Sequence, residues 1–97
     1  KYLCEEKHEY ILSKQLLRSG TSIGANVKEA IRGQSKDDFI HKLNISLKEA
    51  SESEYWIELL FETDYITKQQ FDSLIGDCRE LIKLLTSIIK TSRKEGK

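Results

Sequence analysis

From Glu9 to Lys90, apolar residues recur at steps of three, four or, where one step is skipped, seven positions, and connectors interrupt the pattern at Gly33-Gln34-Ser35 and at Thr63-Asp64. That period belongs to the α-helix and not to the strand, whose faces alternate every second residue. Proline is absent, so nothing in the chain forces a long helix to stop. Leu12, Leu16, Ile23, Val27 and Ile31 mark a first stripe, for a helix over about 9–32. Phe39, Leu43, Leu47, Ala50, Ile57 and Phe61 mark a second, over 35–63. Phe71, Leu74, Cys78, Leu81, Leu85 and Ile88 mark a third, over 67–92, with Ile75, Ile82 and Ile89 flanking that seam. Three apolar residues per heptad is the width of a bundle helix, and short connectors make sequential helices antiparallel neighbours. The expectation is all-α: an up-and-down antiparallel four-helix bundle in one domain over 1–97, with three long helices in these residues. Lys1–Cys4 reads as the tail of an earlier helix and Glu5-Glu-Lys-His8 as a polar connector, so the first helix is missing or reduced to a stub.

The helix ends carry their own signals. Gly33 is placed to cap the first helix in a left-handed conformation. Ser35 is an N-cap followed by Asp37 and Asp38 in the first turn, where the helix dipole favours negative charge. Asp64 tolerates the left-handed geometry of a helix end, and Thr67-Lys-Gln-Gln70 has the form of a capping box. Thr91–Lys97 reads as a polar tail.

One segment conflicts with the helical reading. Ser19, Gly20, Thr21, Ser22, Gly24 and Ala25 crowd the first helix with small residues, and each interior glycine costs roughly 0.5–1 kcal/mol relative to alanine. A phosphate-cradling loop would need a preceding strand and a closing Gly-Lys-Ser/Thr, and neither is present. Close approach of a neighbouring helix backbone is the better expectation, and it makes Gly24→Leu an overpacking substitution.

Charge and chemistry restrict function further. The chain holds 16 Lys and Arg and 16 Asp and Glu, so net charge gives no argument for nucleic-acid binding by the protein as a whole. The charges are segregated, however: six basic and four acidic in residues 1–34, three and seven in 35–63, seven and five in 64–97. Lys14, Arg18, Lys28, Arg32, Lys83, Lys90 and Lys94 are candidates for a phosphate-binding surface, although no aromatic residues interleave with them for base stacking. Arg18, Asn26, Glu29, Glu49 and Glu54 lie on or beside the apolar stripes, and buried charge needs a partner. They form a candidate structural network in which Arg18 or Asn26 satisfies Glu49 or Glu54. Tyr55-Trp-Ile-Glu-Leu-Leu-Phe61 is apolar almost all round, which places Tyr55, Trp56, Leu59 and Leu60 at a subunit interface. Cys4 and Cys78 match neither a metal spacing nor a disulfide framework. Asp37 and His41 share a helix face, but two ligands do not make a metal site. No nucleophile–base set has supporting context, so the expectation is no catalysis, no cofactor and no metal. No apolar run approaches the 18 or so residues of a membrane span.

The stretch Leu12-Ser-Lys-Gln-Leu-Leu-Arg-Ser-Gly-Thr-Ser-Ile-Gly-Ala-Asn-Val-Lys-Glu-Ala30 resembles the signature of the bacterial 23S rRNA intervening sequence proteins. Gln34-Ser-Lys-Asp-Asp-Phe-Ile-His-Lys-Leu43 and Lys48-Glu-Ala-Ser-Glu-Ser-Glu-Tyr-Trp-Ile57 are similar to that family's second and third blocks. Asp64 departs from the glycine that many members have, which bears only on the local turn. The resemblance implies a four-helix subunit with a helix before the position of Lys1 and a ring-like homopentamer from a bacterium, and the use of Cys4 and Cys78 fits a reducing cytoplasm. It also implies similarity to the accessory protein of diversity-generating retroelements, which binds a reverse transcriptase and nucleic acid. It defines no catalytic residues. The function expected is thus a non-enzymatic oligomer that binds RNA, DNA or a nucleic-acid-handling protein. The alternative is a protein-only interaction scaffold.

Overall fold

The computed structural model describes the backbone of residues 2–33 and 35–95 and the side chains of residues 11, 14–33 and 35–94. The readings of Lys1, Gln34 and the last two residues, and those resting on the side chains of Cys4, His8 and Leu12, lie outside the described residues. Three helices make the structure: α1 (Tyr2–Ile31), α2 (Lys36–Glu62) and α3 (Lys68–Glu95). No strand occurs among the described residues. The rod they form measures 56 × 21 × 13 Å.

The two turns are built as their residues dictate. Ser35 Oγ accepts from the Asp38 amide at 3.1 Å and starts α2. The Thr67 amide donates to Gln70 Oε1 at 2.9 Å while the Gln70 amide donates to Thr67 Oγ1 at 3.1 Å, a reciprocal capping box that starts α3. Between them, α2 closes with paired bonds from the Tyr65 amide to Leu60 O (2.9 Å) and from the Asp64 amide to Phe61 O (3.0 Å), the geometry that places its pivot residue in the left-handed region. Asp64 is that residue, at φ 65°. Gly33 is not left-handed; no described glycine has positive φ. Glycine relieves crowding there, because a Cβ would meet Ala30 O at 3.1 Å and Asp38 Cβ at 3.4 Å. Two boundaries also move. α1 is helical through Glu5–His8, where Glu and Lys are good helix formers and nothing breaks the helix, and α3 runs on to Glu95.

α2 is the central helix. α1 and α3 each pack against it, and the backbones of α1 and α3 do not approach one another closely. The buried face of α2 is Leu43, Ser46, Ala50, Ser53, Ile57 and Leu60, alternating steps of three and four as in a heptad seam. Ser46 and Ala50 have no exposed surface. One core cluster joins Ile23 and Ala30 of α1, Leu43 and Ala50 of α2, and Leu85 and Ile89 of α3. A second joins Ile57, Ile75 and Cys78, with Leu16 and Phe71 packed on it. Each fully buried aliphatic side chain here contributes roughly 1.5–3 kcal/mol.

Helix backbones thus come together at Ser46, Ala50 and Ser53, with Ser19 and Ala30 supplying the small residues on α1. This corrects the expectation for Gly20 and Gly24. Both are exposed, and a Cβ on either would meet nothing within 4 Å. They face away from α2, because Ser19 and Ile23 hold the inward positions and each residue step turns the helix about 100°. In α3 the core side is Ile75, Cys78, Leu85 and Ile89, while Leu74, expected on the seam, is 38% exposed.

Ala50→Leu therefore places a branched side chain where no space exists and should destabilise the fold by about 3 kcal/mol or more in a urea titration. Asp64→Gly should raise stability by about 1 kcal/mol in the same measurement, because glycine enters the left-handed region without steric cost.

Candidate nucleic-acid interface

Antiparallel packing sorts the charges by end of the bundle. Two cross-helix contacts mark the register: the Ser46 hydroxyl shares its one proton between Lys42 O at 3.2 Å and Ile23 O at 3.3 Å, and Cys78 Sγ donates to Ala50 O at 3.2 Å. The C-terminal part of α1, the N-terminal half of α2 and the C-terminal half of α3 consequently share one end. Among the described side chains, residues 21–48 and 81–94 carry nine Lys and Arg and three Asp and Glu, whereas residues 14–20 and 49–80 carry four and nine. The neutral chain is strongly polar along its axis.

The two ends differ in pairing as well. In the acidic half Lys68 Nζ lies 2.6 Å from Asp72 Oδ1. Arg79 reaches Glu54 at 2.7 Å and Glu58 at 3.7 Å, and its hydrogen bond to Glu54 holds the guanidinium proton still more firmly than usual. In the basic half Lys42 meets Glu29 at 3.2 Å. Lys28, Arg32, Lys36, Lys48, Lys83, Lys90, Arg93 and Lys94 make no ion pair among the described residues.

Of the seven basic residues singled out by sequence, Lys28, Arg32, Lys83, Lys90 and Lys94 fall in this basic half, whereas Lys14 and Arg18 lie in the other. Lys36, Lys48 and Arg93 belong with the first group and were missed. Lys36 and Lys48 sit on the helix with the most acidic composition, and their position at its basic half depends on how α2 is threaded between its neighbours.

The expected polar network is not assembled as a unit. Arg18 is exposed and donates to Gln15 Oε1 of its own helix at 3.5 Å. Asn26 Nδ2 donates to Ser22 O at 2.9 Å, also within α1. Glu29 pairs with Lys42, Glu49 is half-buried and meets neither Arg18 nor Asn26, and Glu54 is satisfied by Arg79 of α3. The reason is rotational: Arg18 is one step from the buried Ser19, on the outer side of α1. Of the expected interface residues, Tyr55 is 57% exposed and lies edge-on to Trp56 at 5.0 Å between ring centroids. Trp56 and Leu59 are half-buried. Leu60 is taken into the chain's own core, at 3% exposure.

A second surface feature is apolar. Where α1 and α3 do not meet, a groove of about 480 Å³ runs between Leu16, Leu17, Gly20 and Ile23 on one side and Leu74 and Leu81 on the other, with Ile57 of α2 in its floor. Leu17 is 71% exposed along it. No helix is long and apolar enough to cross a membrane among the described residues, and no group of three or more His, Cys, Asp or Glu is placed to hold a metal ion.

Residues 1–87 match the family model described as 23S rRNA-intervening sequence protein. The chain belongs to that family. It is similar to a 1.70 Å crystal structure of a protein with unknown function from the S23 ribosomal protein family of Bacteroides thetaiotaomicron VPI-5482, with a TM-score of 0.82 and 60% identity over 93% of this chain and 80% of that one. No curated protein matches the chain. For a 23S rRNA-intervening sequence protein, the polar axis and the unpaired cations at one end are the features on which a function can be built.

Cys78 is set apart from that surface. It is buried, and burial first and the Glu54 charge second push its thiol pKa above the usual value, against the lowering effect of Arg79. In a chain whose Cys4 is replaced by serine, Cys78 should react with an aromatic disulfide at pH 8 on the order of 100-fold more slowly than free cysteine, because reaction awaits local opening. Urea sufficient to unfold the chain should abolish the difference.

Proposed function

We propose that this 23S rRNA-intervening sequence protein is a non-enzymatic, oligomeric helical bundle that binds nucleic acid through its basic end. The observation that carries the reading is the set of eight cations at that end that make no ion pair among the described residues. Unpaired surface cations on a chain of zero net charge contribute little to folding, whereas a polyanion neutralised by them releases counterions and binds more tightly. The family resemblance supports a homopentamer as the assembly, in which a closed ring would repeat the basic end once per subunit, and the cysteine usage fits a reducing cytoplasm. The carboxylates Glu54 and Glu58 are occupied by Arg79, which supports a role without acid–base catalysis.

The reading includes a fourth helix, preceding residue 1, that covers the groove between α1 and α3. Two facts support it. The groove is apolar and leaves Leu17 and Leu74 exposed, and the similar crystal structure is longer, this chain covering 80% of it. The cost of Gly20 in a helix interior is then offset outside the three helices described, by the close approach of that fourth helix.

Filter binding of single-stranded RNA and of DNA should show affinity that falls roughly tenfold or more between 50 and 200 mM salt, and light scattering should give the mass of a pentamer. A monomer, or retention of neither nucleic acid at 50 mM salt, would sink the proposal. In the protein carrying the preceding segment, Gly20→Leu should lower thermal stability by the equivalent of about 1–3 kcal/mol through overpacking. If it is neutral or stabilising, the groove is not covered.

A further inference from the structure

A concavity lies at the basic end. Between the N-terminal half of α2 and the last turns of α3 lies a cleft of about 390 Å³, distinct from the apolar groove. Its apolar wall is Leu47 and Ile89; Asn44 and Thr86 stand beside it, and Lys90, Arg93 and Lys94 close it on the α3 side. Among the described residues, the charged side chains lining the cleft are all cations, and none of the three makes an ion pair.

Cations in the last turn of a helix are favoured by its dipole, which accounts for Arg93 and Lys94 as a pair of charges. It does not account for the rest. Lys90 lies a turn earlier, and the hydrogen-bonding side chains come from two different helices. Asn44 commits its amide group to Ile40 O at 3.1 Å, which leaves its carbonyl oxygen and a second N–H for a ligand. Thr86 is exposed and offers a hydroxyl. The cleft therefore combines three cations, an amide, a hydroxyl and a small aliphatic wall, within a volume typical of small-molecule sites.

We infer that this cleft binds one nucleotide unit, its phosphate held by Lys90, Arg93 and Lys94 and its sugar hydroxyls by Asn44 and Thr86, with Leu47 and Ile89 against the apolar face of the sugar or base. The inference deepens the reading of the basic end as a nucleic-acid surface and rests on it for the polymer. Arginine suits the phosphate because its planar fork donates two bonds at once. No aromatic ring lines the cleft, so recognition is of phosphate and sugar and is indifferent to base identity. A nucleotide can reach the cleft within a strand or as a free monophosphate, and the two are separable by experiment.

The test uses fluorescence anisotropy with a labelled twelve-nucleotide oligouridylate, and two-dimensional NMR of the protein with adenosine monophosphate. Two uncharged substitutions, Asn44→Leu and Thr86→Val, leave the electrostatics of the end untouched and should together weaken oligouridylate binding at least fivefold. The triple variant Lys90→Gln, Arg93→Gln and Lys94→Gln should reduce the slope of log affinity against log salt by about 0.7, since the cleft holds one phosphate and each phosphate neutralised on a single strand contributes about 0.7. Lys28→Gln with Arg32→Gln and Lys36→Gln, equal in charge but outside the cleft, should reduce it by less than half as much. Thermal melting by circular dichroism confirms that each variant folds. If the two uncharged substitutions leave affinity unchanged and the two charge triples weaken binding equally, the cleft is overturned while the basic end stands as a diffuse polyanion surface. If the strand does not bind but the monophosphate shifts the Thr86 and Arg93 resonances, the cleft stands as a free-nucleotide site and the nucleic-acid reading fails. If neither ligand binds at 50 mM salt, both are overturned.

Discussion

The arrangement depends on one close contact, the burial of Ser46 and Ala50 between the flanking helices. With no side chain beyond a hydroxymethyl or methyl group, α2 allows its neighbours near enough for side chains to bond to backbone across helices: Ser46 to Ile23 O, Cys78 to Ala50 O. Those two contacts are individually weak, since a thiol is a poor donor and the Ser46 hydroxyl shares its proton with Lys42 O, but they mark the register. They show which residues of α1 and α3 stand beside each level of α2. Leucine at either position would separate the helices and erase the register with the packing.

Register in turn determines electrostatics. A chain with equal numbers of acids and bases becomes an axial arrangement of opposite charge only because α2 runs antiparallel to both neighbours at this offset. The acidic half pairs three of its nine carboxylates among the described residues, through Arg79 with Glu54 and Glu58 and through Lys68 with Asp72. The basic half pairs Lys42 with Glu29 and leaves the rest of its cations to solvent or to a ligand. Electrostatic steering toward a polyanion depends on this local imbalance, and a net charge of zero does not oppose it at distances below the ~8–10 Å screening length of physiological salt.

The small-residue segment of α1 shows how a correct composition argument can attach to the wrong surface. Glycine in a helix requires an offset, and close approach was the sound inference, but the approach among these three helices occurs at Ser46, Ala50 and Ser53 of α2. Those residues have ordinary helix-compatible side chains and raise no alarm in a sequence. Gly20 lies instead along the groove between α1 and α3, where an offset has to come from beyond α2. The same rotation that turns the glycines outward carries Arg18 away from Glu49 and Glu54, so Glu54 draws its partner from α3.

Sequence alone determined the three long helices, though not all their ends, and the caps at Ser35, at Thr67 with Gln70 and at Asp64, because those depend on local chemistry: helical periodicity, side chains that bond free amides, and a residue that tolerates the left-handed pivot. It also carried the family, through three blocks of residues in α1 and α2. Tertiary structure alone decided which stripe is buried, that Leu74 faces a groove and Leu60 the core, and that Gly33 serves space and not handedness. It alone brought Asn44 of α2 beside Thr86, Lys90 and Arg93 of α3. Residues more than forty positions apart become one cleft only when packing fixes the offset between helices, and helical periodicity specifies the face of each helix but not the level at which two helices meet.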